Sequence, residues 1–266
     1  MKDNLGSRLC VVIGGANGIG AACCRLMSSR GWRVAVVDLD AGAAESLAKE
    51  IGGSSYCVDI RSLDSVEQLA SDIEREQGPV YSLVVSAAAF QDRYPPDEFP
   101  MDLWRSVMQV NVEGTFNVNR AFGRRMVRER KGSIVNIAST VAHGSSPLHA
   151  YGPSKAAIVN LTRGLAGQWG RAGVRVNSVS PGATLTPRVT ARPLGRYASD
   201  VNSQLALGRR VDPMEVAEGV EFLASDRASA ITGTDLLIDA GWLTASTWGL
   251  YGGVPAIESE AESPNE

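Results

Sequence analysis

Seven short runs of apolar residues recur along the chain: "RLCVVIGG", "WRVAVVDLD", "SSYCVDI", "YSLVVSAAA", "GSIVNIAS", "GVRVNSVSPG" and "DLLIDAG". Each is rich in Val and Ile or bounded by Gly, Asp or Ser, and none keeps the strict alternation of a strand with one wet face. Runs of that kind suit strands buried on both sides, as in a parallel sheet covered by helices. Between most of them the apolar period lengthens to that of a helix, as in "GIGAACCRLMSSRG" and "SLDSVEQLASDIEREQG". Strand–helix alternation with right-handed crossovers predicts an α/β, doubly wound parallel sheet of about seven strands with about three helices on each face.

Two regions break this rhythm. Residues 183–212, "ATLTPRVTARPLGRYASDVNSQLALGRRVD", mix prolines and arginines with weak periodicity. A connection of that length inside a compact domain is usually functional, so its segment 187–210 is expected to close over a substrate. The tail 256–266 is acidic and lacks aromatics, which predicts disorder. Residues 1–255 then form one nucleotide-binding domain, with 241–255 extending beyond the last strand. That extension carries Trp242, Trp248 and Tyr251, side chains that seek a surface, here a subunit interface.

Composition narrows the function. The chain has 266 residues and a net charge of −3, without the basic footprint of a nucleic-acid binder. Its densest basic run, "RRMVRERKG", contains Glu129 and reads as a solvated helix end. No stretch reaches the roughly 18 apolar residues of a membrane span, and "MKDNLGSRL" lacks the apolar core of a signal peptide. Cys10, Cys23, Cys24 and Cys57 form no CxxC, and there are only two histidines. No metal site is expected, and reduced thiols in a cytoplasm are.

Candidate chemistry begins in "CVVIGGANGIGAACC", where Gly14, Gly18 and Gly20 follow the first strand and open a helix. Glycine permits positive φ and close approach to a phosphate, and the helix end offers free N–H groups to an anion. Asp38 closes the next strand, 18 residues beyond Gly20. A carboxylate there accepts hydrogen bonds from an adenosine ribose and repels a 2′-phosphate, favouring NAD over NADP. Asp38 is equally placed to cap a strand end, and Asp40 competes for the ribose. Asp59 in "CVDI" suits the adenine amino group, or a turn. Further on, Tyr151 and Lys155 stand four apart in "YGPSKAAIVNLTRGLA", which on a helix sets a phenol beside an ammonium. They are either a surface pair or a tyrosine tuned to move a proton.

The glycine pattern, Asp38, "NVEG", "IVNIAST", "YGPSK", "RVNSVSPGATLT" and "FLASDRASAITGTDLLIDAGW" stand in the order of the short-chain dehydrogenase/reductase family. Across residues 8–243 the chain resembles the simple, single-domain Rossmann type with a YxxxK pair. The resemblance implies an NAD-dependent oxidoreductase interconverting a secondary alcohol, diol or sugar alcohol and its ketone. Tyr151 would be the acid–base group. A free tyrosine, with a pKa of about 10, is mostly protonated at neutral pH. Lys155 would favour its phenolate by charge and hold the nicotinamide ribose. Ser139 would hold the substrate oxygen, and Asn111 in "QVNVEG" would support a water relay to the lysine, although both residues also suit capping roles. Asn17, Ile19, Ile60 and Ala87 would line the cofactor beside the glycines. Pro181 and Gly182 would turn the chain past the nicotinamide, with Thr184 and above all Thr186 bonding its carboxamide or a phosphate. A homotetramer, or a dimer, packing through helices 111–130 and 150–171 is the family's habit.

The chain also departs from the family. Ile13 replaces a threonine, and "VSAA" (Val85–Ala88) replaces Asn-Asn-Ala-Gly, which bears on cofactor affinity and local stability. Substrate loops are expected at 89–99, 143–149 and 187–210. Arg93, Arg188 and Arg192 leave room there for an acidic group. His143 and His149 are either substrate contacts or plain loop residues. Two rival readings are a 3-oxoacyl-carrier reductase using NADPH, with Arg130, Lys131 and Arg171 as a basic rim, and a non-catalytic NAD-binding sensor.

Overall fold

The computed structural model describes residues 8–187 and 201–255. Expectations about Arg188, Arg192, the centre of the 187–210 segment and the 256–266 tail lie outside the described residues. Seven strands, β1 (Leu9–Ile13), β2 (Arg33–Asp38), β3 (Ser54–Cys57), β4 (Val80–Val85), β5 (Gly132–Ile137), β6 (Val174–Pro181) and β7 (Asp235–Ile238), form one sheet. The order is β3-β2-β1-β4-β5-β6-β7, and every pair is parallel. The direction of winding reverses between β1 and β4, which opens a crevice at their carboxyl ends.

β1 explains why its apolar run does not alternate with polar residues. All five of its side chains are buried. Cys10 and Val12 point into one core, while Leu9, Val11 and Ile13 point into the other. The period of two survives, but both faces are dry. The described helices in chain order are α1 (Gly18–Ser29), α2 (Ala41–Ile51), α3 (Leu63–Gln77), α4 (Met101–Met108), α5 (Thr115–Glu129), α6 (Tyr151–Trp169), α7 (Pro213–Ala224) and the short α8 (Trp242–Ala245). Residues of α1, α2 and α7 fill the first core, and those of α3, α5 and α6 the second. Three helices per face is the expected arrangement.

Helix starts follow local chemistry. Asp40 accepts from the Ala43 N–H and caps α2. Ser62 does the same for α3 through the Ser65 N–H. At α7, Asp212 and Glu215 form a reciprocal capping box ahead of Pro213. The helix expected at 111–130 begins earlier, because α4 runs through a π-helical turn, Gln109–Gly114, into α5. Of the aromatics in the C-terminal extension, Trp242 packs against the first core, whereas Trp248 (45%) and Tyr251 (87%) are exposed.

Candidate active site

A cavity of about 900 Å³ opens at the carboxyl ends of β1, β2, β4, β5 and β6. One end is built by the glycine turn. Gly14 and Gly18 take positive φ (72° and 54°). A side chain on Gly14 would sit 2.4 Å from the Ala87 nitrogen, so glycine there lets β1 and β4 close together. Gly20 is different: it is helical, and a Cβ there would meet the Gly14 oxygen at 2.0 Å. It holds α1 against the turn and does not reach the cavity wall, where Gly14, Asn17, Gly18 and Ile19 do.

Asp38 stands at the rim of the same end. Its Oδ2 accepts from the Ala16 N–H (3.0 Å) and its Oδ1 from the Asp40 N–H (3.2 Å). The carboxylate thus ties the glycine turn to β2. Each oxygen keeps a lone pair for a ligand. Asp40, engaged as the cap of α2, is not on the wall. Farther along lie Asp59, Ile60 and Arg61. Both Asp59 oxygens are gripped by the Arg61 guanidinium (Oδ2 to Nη2 at 2.6 Å), which holds this carboxyl below the usual range. Arg61 escaped the sequence reading, although it stands two residues from Asp59 and its own N–H also donates to Asp59 Oδ1.

The two departures from the family pattern are absorbed by the main chain. Ile13 and Val85 are buried in the second core. The Ser86 and Ala87 N–H groups both donate to the Ile13 carbonyl, at 2.8 and 3.1 Å. No side-chain amide is needed to join β1 to β4 at this point, and Ala87 remains on the wall.

The other end of the cavity holds Ser139, Tyr151 and Lys155. α6 starts at Tyr151, so Lys155 falls one turn on and on the same face. The lysine is 2% exposed and its Nζ donates to the Ile137 carbonyl at 2.8 Å. It also lies 5.4 Å from the centre of the Tyr151 ring. A buried ammonium aimed at a phenol is not a surface pair. Ser139, extended at the end of β5, accepts from the Val141 N–H (3.5 Å) with its Oγ. Asn111, in the π-helical turn, is fully buried and stands behind the wall. Its Oδ1 accepts from the Ala89 N–H, and its Nδ2 donates to the Ala89 carbonyl and to Ser154 Oγ.

Pro181, Gly182, Thr184 and Thr186 line the cavity as the chain leaves β6. Thr184 Oγ1 donates to the Gly182 carbonyl (3.1 Å), and the Thr186 side chain lies over Gly18. Phe90, Arg93, Val141, Ser145, Ser146, Leu148 and Trp242 also line the cavity. Neither histidine is part of it. His143 Nε2 lies 2.6 Å from Asp235 Oδ2, which ties its loop to β7. His149 stands edge-on to Phe99.

Comparisons with known proteins agree with this architecture. A family model described as Enoyl-(Acyl carrier protein) reductase matches residues 14–243. D-threitol dehydrogenase of Mycolicibacterium smegmatis is 36% identical over 244 residues, covering 90% of this chain and 94% of the relative. An NAD-dependent glycerol dehydrogenase of Listeria innocua is 33% identical over 246 residues, covering 91% of this chain and 96% of its own length. Among solved structures, one named ribose-5-phosphate isomerase from Brucella melitensis has a TM-score of 0.92 at 43% identity, covering 94% of this chain and 97% of its own. Another, a short chain dehydrogenase/reductase family protein, has a TM-score of 0.82 at 36% identity, covering 90% of this chain and 99% of its own. With the parallel sheet, the glycine turn and the Tyr151–Lys155 pair on one cavity, these matches show that the chain belongs to the short-chain dehydrogenase/reductase family.

Proposed function

We propose that the protein is an NAD-dependent dehydrogenase that interconverts a polyol or related secondary alcohol and its ketone. The observation that carries the reading is the buried Lys155 ammonium beside Tyr151, with Ser139 on the same wall. Ser139 Oγ and the Tyr151 hydroxyl bind the alcohol oxygen between them. Lys155 favours the phenolate, which takes the hydroxyl proton as the carbonyl forms. The dinucleotide supplies the acceptor for the hydride that leaves the same carbon. Tyr151 returns the proton to solvent, and the reverse reaction uses it as the acid.

Support for NAD comes from the cradle itself. The glycine turn and the amino end of α1 offer N–H groups to a pyrophosphate, and Asp38 lines the same cavity, where its carboxylate would accept from the adenosine ribose. Asn17, Gly18, Ile19, Asp59, Ile60, Ala87, Pro181, Gly182, Thr184 and Thr186 would complete its binding surface. Asn111 supports the site by holding Ala89 and Ser154. The hydroxyls of Ser145 and Ser146 suit a substrate with several oxygens, and Phe90, Leu148 and Trp242 limit its girth. Threitol and glycerol, named in the two relatives, are such compounds.

The deciding experiment measures NADH formation from NAD, with NADP in parallel, on D-threitol, glycerol, galactitol and cyclic diols. Turnover with NAD should fall by about 10²–10⁴-fold in Tyr151→Phe. Preference for NADP would sink the Asp38 argument, and a fully active Tyr151→Phe would sink the mechanism. NAD binding without turnover of any alcohol would favour a sensor.

The assembly we propose is a homotetramer working in a reducing cytoplasm. Exposed Met101 and Phe116 on the α4–α5 rod, together with Trp248, Leu250 and Tyr251, support the assembly. The four cysteines, none of them paired, support the compartment. Sedimentation of a chain lacking residues 244–266 tests the extension's part in the interface: an unchanged number of subunits with unchanged KM refutes it.

A further inference from the structure

The loop after β4 contains a buried amide that the mechanism above does not use. Gln91 is 2% exposed, unusual for a glutamine in a connection. Its Oε1 accepts two main-chain hydrogen bonds, from the Ala150 N–H (2.7 Å) and the Tyr151 N–H (2.8 Å). Its Nε2 donates to the Asp92 carbonyl at 3.2 Å. It is not on the cavity wall.

The start of α6 shows what those two bonds do. The first N–H groups of a helix have no partner within it, and the residue before it commonly supplies one from its side chain. Ala150 stands there and has no acceptor to offer. Next come Gly152, whose N–H reaches the Leu148 carbonyl, Pro153, which has no N–H, and Ser154, whose N–H reaches the Ala150 carbonyl. The N–H groups left over are those of Ala150 and Tyr151, and Gln91 takes both. Neighbouring contacts close a ring around the same point. The Phe90 ring packs on the Tyr151 ring at 4.5 Å. Asn111 clamps Ala89 by both its N–H and its carbonyl, and reaches Ser154 Oγ, which in turn donates to the Tyr151 carbonyl.

From this closed circuit we infer that Gln91 is a positioning residue for Tyr151: it is the cap of the helix that carries the acid–base group, supplied from 60 residues upstream. A tyrosine at the first position of a helix sits where the backbone is held least. Gln91 fixes its main-chain nitrogen, and Phe90 fixes its ring. The inference rests on the reading of Tyr151 as the proton-transfer group.

The test combines Gln91→Leu and Gln91→Glu with Tyr151→Phe. The rate is NADH formation from D-threitol or glycerol at saturating NAD, and NAD affinity is measured by calorimetry on the same preparations. Gln91→Leu should lower kcat by about 100-fold, the scale of a misplaced reacting group, with the Kd for NAD changed by less than about threefold. Gln91→Glu keeps the acceptor oxygen at the helix end and should hold kcat within about fivefold of wild type. In the Tyr151→Phe background, Gln91→Leu should cost less than about twofold more, because residues that act through one group are not additive. A Gln91→Leu enzyme of near wild-type kcat, when Tyr151→Phe alone lowers turnover by about 10²–10⁴-fold, overturns this inference and spares the mechanism. The positioning role is equally overturned if Gln91→Leu lowers the residual Tyr151→Phe rate by its full factor, or if Gln91→Glu is as slow as Gln91→Leu. A Tyr151→Phe enzyme of wild-type rate overturns both the positioning role and the mechanism.

Discussion

Replacing Asp38 by alanine should leave a protein that barely distinguishes NAD from NADP. A ribose diol on this carboxylate would make two charge-assisted hydrogen bonds, worth about 2–3 kcal/mol together once discounted for the half-exposed rim. Their loss should weaken NAD by about 30- to 150-fold. A 2′-phosphate dianion about 5 Å from the carboxylate is repelled by about 2 kcal/mol in water-like surroundings and by about 7 kcal/mol at an effective dielectric constant of 20. Taking the lower figure, the ratio of the two affinities should move by about 4 kcal/mol, or about 10³-fold. The side chain also holds the Ala16 and Asp40 N–H groups. Water can replace it at both, so about 1–3 kcal/mol of stability is at stake and Tm should fall by roughly 2–10 °C. Calorimetric titration of both cofactors, well below that Tm, separates the two effects. Wild-type protein that binds NADP as tightly as NAD, or a ratio unmoved by Asp38→Ala, would refute the argument.

Three further outcomes are expected. Gly123→Ala drives a methyl into the Trp169 ring, 2.4 Å away, where α5 crosses α6; overpacking of this kind costs about 1–3 kcal/mol and should lower Tm by about 2–10 °C with NAD affinity intact. Glu215 is held down to about 2 by the Arg209 guanidinium and the Asp212 N–H, against an ordinary 4.5. Because the folded value is the lower one, its contribution is complete above pH 4.5 and fades as pH falls toward 2. The gap in urea midpoint between wild type and Glu215→Gln should therefore close over that window, and a constant gap would be evidence against the pairing. Burial pushes the Cys23 thiol up to about 12 and raises Cys10 and Cys24 as well, whereas Cys57 is exposed. A thiol reagent should label one cysteine of the native protein quickly and all four in denaturant.

Much of this architecture is readable in the residues, and the boundary between legible and hidden is a physical one. Buried parallel strands announce themselves as Val- and Ile-rich runs, as β1, β2, β4, β5 and β6 do, whereas the half-exposed edge strands β3 and β7 are marked mainly by the turn residues that bound them. Glycines and strand-end acids lie close in sequence to what they serve, and so the turn and Asp38 are visible. Asp40 separates from Asp38 only once α2 is seen to begin upon it. The spacing of Tyr151 and Lys155 gives their shared face, but not the Ile137 carbonyl that the ammonium meets 18 residues upstream. Gln91 carries no pattern at all, since its partners come from another element. Its one trace is indirect: an alanine before a helix whose third residue is proline leaves N–H groups that something else must accept. Asn111 holds Ala89, 22 residues away, by both its N–H and its carbonyl, a contact that no periodicity encodes.

The wide turn at Gln109–Gly114 makes chain length, and not only residue type, a constraint on any re-engineering of this enzyme. A π turn accommodates one residue more than an α turn. Deleting any single residue between 109 and 114 would let α4 and α5 fuse into a continuous α-helical rod, locally more regular than the native one. Because the wide turn takes up that extra residue within itself, the flanking turns of α4 and α5 would keep their faces. Val118, Ala121 and Phe122 would stay in the core they fill, and Asn111 would lose the place from which it holds Ala89. A library that explores insertions and deletions should find this stretch intolerant even to changes that improve its helix propensity, because its irregularity is what lets one rod serve a core and a site at once.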